Sequence, residues 1–155
     1  MQQTSLTTLF TIIISMLLLT LFTVVAVQVV RSVRRSRRMG MMDEMKGHDF
    51  EYYCADLLEK QGFLEVEVTR GSGDFGVDIL AEKEGVTYAV QCKRYNGPVG
   101  VDAVLRTYAG RDYYGCMVGA VMTNQYFTAP AVEAAKKLHI LLWDRGYVDG
   151  ILEEE

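Results

Sequence analysis

The pattern of apolar positions divides the chain into one long apolar run and a domain of mixed periodicity. From Leu6 to Val30 there are 25 residues without a charge. A helix of that length measures about 37 Å, enough to cross the hydrocarbon core of a bilayer. No basic residue precedes the run and no small-residue cleavage site follows it, which argues against a cleavable signal peptide. We therefore predict a retained transmembrane helix over residues 6–30.

The rest of the chain shows the periods that distinguish helices from strands. Alternating or continuous apolar runs predict five strands, at 64–70, 77–82, 86–95, 117–122 and 140–143. Helical spacing predicts three helices, which start near Asp49, Pro98 and Thr128. The order α-β-β-β-α-β-α-β predicts an α/β fold, a mixed β-sheet flanked by helices, preceded by one transmembrane helix.

Charge changes abruptly after the apolar run. Five arginines lie within residues 31–38, and such a cluster marks the cytoplasmic flank of a membrane span. From residue 39 onward there are all 20 acidic residues but only 11 of the 16 basic ones, for a formal charge of −9. Net charge therefore argues against non-specific phosphate binding by this part. We predict a single-pass protein of a bacterial-type cytoplasmic membrane, with an Arg-rich linker at 31–48, a cytoplasmic domain at 49–148 and an acidic tail at 149–155.

The stretch GSGDFG, at residues 71–76, matches the glycine pattern of a dinucleotide-binding loop. That loop needs a helix directly after it, because the helix N-terminus receives the pyrophosphate. A strand-like run follows here, so the pattern does not predict a nucleotide cofactor. The glycines instead allow a sharp turn just before Asp78.

Alternation along the two strands after this turn predicts a cluster of polar side chains. Asp78 lies on one face of its strand and Val77 on the other, while Gln91 and Lys93 share a face opposite Cys92. If the strands pair, Asp78, Gln91 and Lys93 converge at one end of the sheet. This set suits phosphodiester hydrolysis, because carboxylate and amide oxygens hold Mg²⁺ and a lysine can activate water. An Asp–Lys ion pair beside a hydrogen-bonded glutamine is the alternative interpretation.

Four segments carry a resemblance to a known family. They are GHDFEYYCADLLEKQGF, GSGDFGVDIL, VQCKRY and VMTNQYFTAPAVEAAKKL. In them the chain resembles the Mrr-like restriction endonucleases, a branch of the PD-(D/E)xK nuclease superfamily, whose E-x-K pattern appears here as Gln91-Cys92-Lys93. The resemblance implies a restriction-endonuclease-like fold and a DNA endonuclease that uses Mg²⁺ or Mn²⁺.

The resemblance implies a role for each matching residue. Asp78 would be the metal-binding aspartate, Gln91 a weaker metal ligand or water-positioning group, and Lys93 the catalytic lysine. The backbone carbonyl of Cys92 would be a further metal ligand. Glu51, in the first helix, would be the accessory acid, and a solvated glutamate near a helix start is the alternative.

Weaker candidates surround this set. Asp74 either supports the site at its mouth or bonds its own backbone in the turn. The candidates for DNA contact are Arg70, Arg94, Thr123 and Asn124, of which the last two cap the strand-to-helix loop in the alternative interpretation. A homodimer would gather further arginines into one groove. The alternative function is a catalytically silent, membrane-bound module that binds nucleic acid or protein, although the complete catalytic set argues against it.

Overall fold

The computed structural model describes residues 2–69 and 75–153 of the chain. They belong to two compact units, Met1–Arg38 and Met39–Glu155. The elements in chain order are α1 (Gln2–Glu44), α2 (Gly47–Lys60), β1 (Leu64–Val68), β2 (Ile79–Lys83), β3 (Val86–Lys93), α3 (Val101–Tyr113), β4 (Val118–Thr123), α4 (Ala129–Leu138), β5 (Ile140–Trp143) and α5 (Arg145–Glu153). The predicted order of helices and strands is confirmed, and one C-terminal helix is added to it.

The first unit consists of the apolar part of α1. Its most apolar window has a mean hydropathy of 2.7, and none of that window is buried. Three threonines in the run, Thr11, Thr20 and Thr23, donate their hydroxyl hydrogens to the carbonyl three residues earlier. The polar side chains are thereby satisfied within the helix itself. By length and composition this helix can cross a membrane.

A five-stranded mixed sheet forms the centre of the second unit. The strand order is β1-β2-β3-β4-β5. The first three strands pair antiparallel, and β3, β4 and β5 pair parallel. The parallel connections each contain a helix, α3 and then α4, because parallel neighbours need a long crossover. The carboxyl ends of β3, β4 and β5 therefore lie along one edge of the sheet.

The connection between β2 and β3 shows how the local sequence sets the register. Only Glu84 and Gly85 separate the two strands, and both have positive φ, 55° and 78°. Positive φ at both residues is the two-residue hairpin turn whose twist matches that of the strands. The turn pairs Lys83 with Val86 and, four pairs further on, Ile79 with Val90. It thus brings the start of β2 alongside the end of β3.

Helices cover both faces of the sheet. One core lies between the sheet and α2 with α5, and it includes Ile79, Val90 and Cys92. The other lies between the sheet and α3 with α4, and it includes Val104 and Val121. The predicted alternation is confirmed for Val90 and Cys92, which face the first core and lie opposite Gln91.

The structure corrects both predicted domain boundaries. Residues 31–48 are predicted as a linker, but α1 continues to Glu44 and Met42 is fully buried in the first core. Residues 149–155 are predicted as a solvated tail, yet Asp149 and Ile151 of α5 are buried. Both segments contain too few apolar residues for their periodicity to be recognised. The second compact unit is therefore longer at each end than the domain predicted at 49–148.

Val77 also departs from its predicted position. It precedes β2 rather than belonging to it, so strand alternation does not decide where its side chain points. A Cβ added at Gly110 of α3 would lie 2.5 Å from Val77 Cγ2 and 2.7 Å from the carbonyl oxygen of Phe75. The segment before Asp78 therefore packs closely against α3, and Gly110 makes that approach feasible.

Candidate active site

Two hydrogen bonds fix Asp78 between β2 and β3. Its backbone N–H donates to the carbonyl of Val90 at 2.8 Å. Its carboxylate oxygen Oδ2 accepts from the backbone N–H of Cys92 at 2.6 Å. These bonds flank Gln91, so Asp78 and Gln91 lie side by side across the strand pair. A bond from an N–H to an ionised carboxylate is short and strong, and here it orients a side chain that is only 9% exposed.

Gln91 is buried between β3 and α3, with 2% of its surface exposed. The hydroxyl oxygen of Thr107 on α3 lies 3.5 Å from Gln91 Oε1. On the other side, a Cβ at Gly76 would lie 3.1 Å from Gln91 Nε2 and 2.9 Å from Cβ of Arg106. Gly76 also has a φ of +80°, which disfavours any residue with a side chain. The carboxamide of Gln91 therefore occupies a space that a glycine leaves open.

Lys93 is the last residue of β3 and is half-buried. Strand alternation puts it on the face that Gln91 occupies. Its backbone carbonyl accepts a hydrogen bond from the hydroxyl of Thr123 at 2.6 Å, in register with the parallel pairing of these two residues. The main chain at Lys93 is thus held from β4, while the side chain emerges at the end of the sheet.

Glu51 lies near the start of α2 and is half-buried. Its carboxylate oxygen Oε2 is 2.9 Å from Nδ1 of His48, one helical turn earlier. The His48 ring is exposed and meets the ring of Tyr52 edge-on, with the centroids 4.9 Å apart. Glu51 therefore lies at the edge of the buried face of α2, and the more exposed imidazole of His48 covers it on the solvent side.

The Cys92 thiol is buried, and its surroundings change its pKa. Burial raises the pKa of this thiol well above its usual range, with further upward contributions from Cys54 and from the charges of Asp78 and Glu51. The thiol itself belongs to the first core, as the prediction that it points away from the site requires. Its backbone carbonyl remains a predicted ligand.

The donor chemistry around Asp78 fits a hard divalent cation. Mg²⁺ and Mn²⁺ prefer carboxylate and carbonyl oxygens, and Asp78, Gln91 and the Cys92 carbonyl are the residues that would supply that set. Asp78 and Gln91 are adjacent and nearly buried, in a place where carboxylate and carboxamide groups need polar partners. Among the described residues, no group of three or more His, Cys, Asp or Glu side chains is arranged to hold a metal. A metal ion at this position would therefore need the amide oxygen of Gln91 and the backbone oxygen of Cys92 as ligands in addition to Asp78.

The predicted DNA contacts occupy structural positions instead. Thr123 and Asn124 are wholly buried, which favours the alternative interpretation that they cap the strand-to-helix loop. Thr123 donates to Lys93, as described above, and accepts from the backbone N–H of Gln125 at 3.1 Å. The guanidinium of Arg94 donates to the backbone carbonyl of Asp43 and, at 3.1 Å, to Asn96. Arg70, a predicted DNA contact, and Asp74, predicted at the mouth of the site or in the turn, lie outside the described residues.

Sequence reasoning missed three residues that contact this set. His48 pairs with Glu51, and the i, i+3 spacing on a predicted helix is a signal that identifies it. Thr107 faces Gln91, but only the packing of α3 on the sheet reveals this. Asp43 binds Arg94 from a segment predicted as linker, so no sequence signal pointed to it.

The mixed five-stranded sheet and its two helical layers are those of a restriction-endonuclease-like fold. A family profile matches residues 42–150, and the chain belongs to that family, Mrr_cat, which is described as restriction endonuclease. Curated protein sequences contain no match to the chain.

Solved structures share the fold. The protein of unknown function AF1548 is 26% identical with a TM-score of 0.61, over 70% of this chain and 66% of that one. The DNA modification-dependent restriction endonuclease AspBHI is 19% identical with a TM-score of 0.55, over 82% of this chain and 35% of that one. MspJI restriction endonuclease, in complex with a 27-mer oligonucleotide, is 20% identical with a TM-score of 0.58, over 79% and 31%. The chain thus spans about a third of either endonuclease.

Proposed function

We propose that this protein is a membrane-anchored DNA endonuclease that hydrolyses phosphodiester bonds with Mg²⁺ or Mn²⁺. The proposal is supported by the nearly buried side chains of Asp78 and Gln91, whose main chains lie opposite each other across the strand pair, within a domain of the restriction endonuclease family. Core positions of this kind normally hold apolar side chains, so a nearly buried acid and amide at a sheet end indicate chemistry.

Each residue has a distinct part in this mechanism. Asp78, Gln91 and the Cys92 carbonyl would hold the metal, which supplies Lewis-acid polarisation of the phosphate and a more acidic bound water. Lys93 orients or deprotonates the attacking water and offsets the negative charge that develops on the phosphate. Glu51, with His48 beside it, is the accessory acid at the helix start. The hydrogen bond from Cys92 N–H orients the carboxylate of Asp78.

Membrane anchoring is the second part of the proposal. Its support is an apolar helix of sufficient length, followed by five arginines within residues 31–38. Positive charge after a span and none before it favours a cytoplasmic C-terminal domain. We also propose that the protein acts on DNA as a homodimer, because a single acidic domain offers few cationic side chains to a phosphate backbone.

A catalytically silent interaction module is the second candidate function. The observations that favour it are the formal charge of −9 after residue 38 and the burial of two predicted DNA contacts, Thr123 and Asn124. Such a module would bind a partner through the same fold without hydrolysis. Cleavage assays separate the two candidates.

The experiment uses the full chain, purified in a mild detergent and incubated with supercoiled plasmid DNA. With Mg²⁺ or Mn²⁺ we expect nicked and linear products, and with EDTA none. Asp78→Asn should lose cleavage, because the metal site loses its strong anionic ligand while the fold keeps an oxygen that accepts from Cys92 N–H. Asp102→Asn, in an exposed ion pair with Arg106, is the matched control and should cleave normally. Cleavage by Asp78→Asn at the rate of the unmodified chain would contradict the mechanism.

A further inference from the structure

A cluster of polar groups binds the end of α1 to the segments that follow the three parallel strands. The carboxylate of Asp43 accepts two hydrogen bonds from Arg145, Nη1 to Oδ1 at 2.8 Å and Nη2 to Oδ2 at 3.0 Å. Its Oδ1 also accepts from Nδ2 of Asn124 at 2.8 Å. The Asp43 carbonyl accepts from Arg94. Arg94 follows β3, Asn124 follows β4 and Arg145 lies just after β5, so one residue connects all three strand ends.

The Asp43–Arg145 contact is a two-pronged ion pair, which has a defined geometry as well as a favourable energy. The hydrogen bond to Arg145 is the largest contribution that lowers the pKa of Asp43, with Asn124 adding to it. Met42, the preceding residue, is fully buried in the first core. The carboxylate is therefore held in place both by its charge partners and by the packing of its neighbour.

Asp43 and the backbone of Tyr95 together fix how the amide of Asn124 is oriented. A side-chain amide has one accepting and one donating end, and a carboxylate requires the donating end. With Nδ2 facing Asp43, the Asn124 Oδ1 accepts from the backbone N–H of Tyr95 at 2.9 Å. Nδ2 also donates to the carbonyl of Tyr95 at 3.0 Å. The Asn124 side chain thus pairs with both backbone groups of Tyr95, as a neighbouring strand would.

The main chain around Lys93 is held by two residues at the end of β4, Thr123 and Asn124. Thr123 holds the Lys93 carbonyl at 2.6 Å, and Asn124 holds Tyr95 two residues further on. Regular β3–β4 pairing ends at Lys93 and Thr123, and the next backbone pairing is the Val99–Phe127 bridge, so these bonds hold the main chain between the two. The position at which the lysine side chain leaves the sheet therefore depends on the Asn124 amide and, through it, on Asp43.

We propose that Asp43 is a positioning residue for Lys93, acting through Asn124 and Arg94 on the main chain at the end of β3. This inference rests on the proposed function, because it concerns the lysine of the proposed nuclease site. Asp43 lies in the segment that connects the membrane-type helix to the domain, so the domain requires that segment for an ordered site and not only for attachment.

The test compares the full chain with Asp43→Asn, which keeps the shape of the side chain but removes its charge and replaces one of the two accepting oxygens with an NH₂ group that faces a donor. Glu133→Gln, in an exposed ion pair with Lys137 at 2.8 Å, is the matched control. The first readout is hydrogen exchange at the Tyr95 amide. We expect exchange at least about tenfold faster in Asp43→Asn and unchanged in Glu133→Gln. Equal exchange in all three chains overturns the proposal.

The second readout is plasmid cleavage under single-turnover conditions. Asp43→Asn should reduce the rate at saturating DNA at least about tenfold with DNA affinity within about twofold, because it displaces Lys93 rather than a binding group. The double variant Asp43→Asn/Asn124→Ala should cleave no more slowly than Asn124→Ala alone, because Asp43 acts on Lys93 through Asn124. Additive losses, or lost affinity at an unchanged rate, overturn the proposal. Faster Tyr95 exchange in a chain that never cleaves DNA would refute the nuclease function while leaving the structural role of Asp43 intact.

Discussion

The carboxylate of Asp78 accepts a 2.6 Å hydrogen bond from the backbone N–H of Cys92. This bond crosses from the residue before β2 to the end of β3, and it determines which way the acid points. The N–H belongs to the residue between Gln91 and Lys93, so the Q-x-K pattern supplies both a donor to the aspartate and two side chains on the site face. The middle residue of the pattern contributes through its backbone, while its thiol packs in the core.

Gln91→Glu tests whether position 91 belongs to the metal shell. The change adds a negative ligand beside Asp78, so Mg²⁺ affinity measured by calorimetry should rise by tenfold or more and cleavage should persist. Without metal the variant should unfold at a lower temperature than the unmodified chain, because it buries a second carboxylate at a nearly inaccessible position. Added Mg²⁺ should restore most of that loss. Unchanged or weaker Mg²⁺ binding would exclude Gln91 from the shell.

Gly110→Ala tests the close packing of the segment before Asp78 on α3. A Cβ there would lie 2.7 Å from the carbonyl oxygen of Phe75, a backbone atom that can move only with the whole segment. We expect a loss of roughly 1–3 kcal/mol in the free energy of unfolding by urea, despite the better helix propensity of alanine. The control is Gly150→Ala in α5, where a Cβ meets nothing within 4 Å. That variant should be neutral or stabilised by up to about 1 kcal/mol. Equal effects at the two positions would contradict the packing.

Most of the fold was predictable because its local signals agree. Period-two alternation identified β2 and β3, and the Glu84-Gly85 turn fixed their pairing, which was enough to bring Asp78 and Gln91 together. Val77 was assigned to the wrong face because it stands before the strand, where packing on α3 decides its direction. A sequence pattern contains no information about that packing.

Longer-range polar contacts were the part that sequence did not reveal. The position of Asn124 after a strand near the site predicts either a DNA contact or a loop cap, but not its hydrogen bond to Asp43, 81 positions earlier in the chain. Asp43 itself lies in a short polar segment that resembles a linker, and only Met42 hints that the segment is buried. Contacts between such distant residues depend on tertiary structure.

The Asp43 cluster predicts a dependence of stability on pH. The hydrogen bond from Arg145 lowers the pKa of Asp43 below its ordinary value of 3.8. Since the folded pKa is the lower one, the stabilisation is complete above the unfolded pKa and is lost as pH falls through the folded pKa. In urea unfolding, the stability difference between the unmodified chain and Asp43→Asn should be full above about pH 5 and shrink below about pH 4. A difference that stays constant down to pH 2.5 would contradict the assignment.

Membrane orientation is tested with C-terminal reporters in a bacterial host. Because five arginines follow the apolar run and none precede it, a fluorescent protein after Glu155 should be bright and alkaline phosphatase there inactive. Replacing the five arginines with glutamine should weaken this orientation, whereas replacing them with lysine should preserve it. Active phosphatase on the unmodified chain would place the domain outside the cytoplasm.

Metal-dependent cleavage by Lys93 is the central claim, and one assay tests it most directly. The full chain and Lys93→Ala are each incubated with supercoiled plasmid and Mg²⁺, with Lys137→Ala, an exposed lysine of α4, as the control. We predict cleavage by the unmodified chain and by Lys137→Ala, and a rate at least about 100-fold lower for Lys93→Ala at an unchanged melting temperature. Equal cleavage by Lys93→Ala and the unmodified chain, or cleavage that persists in EDTA, would contradict the account.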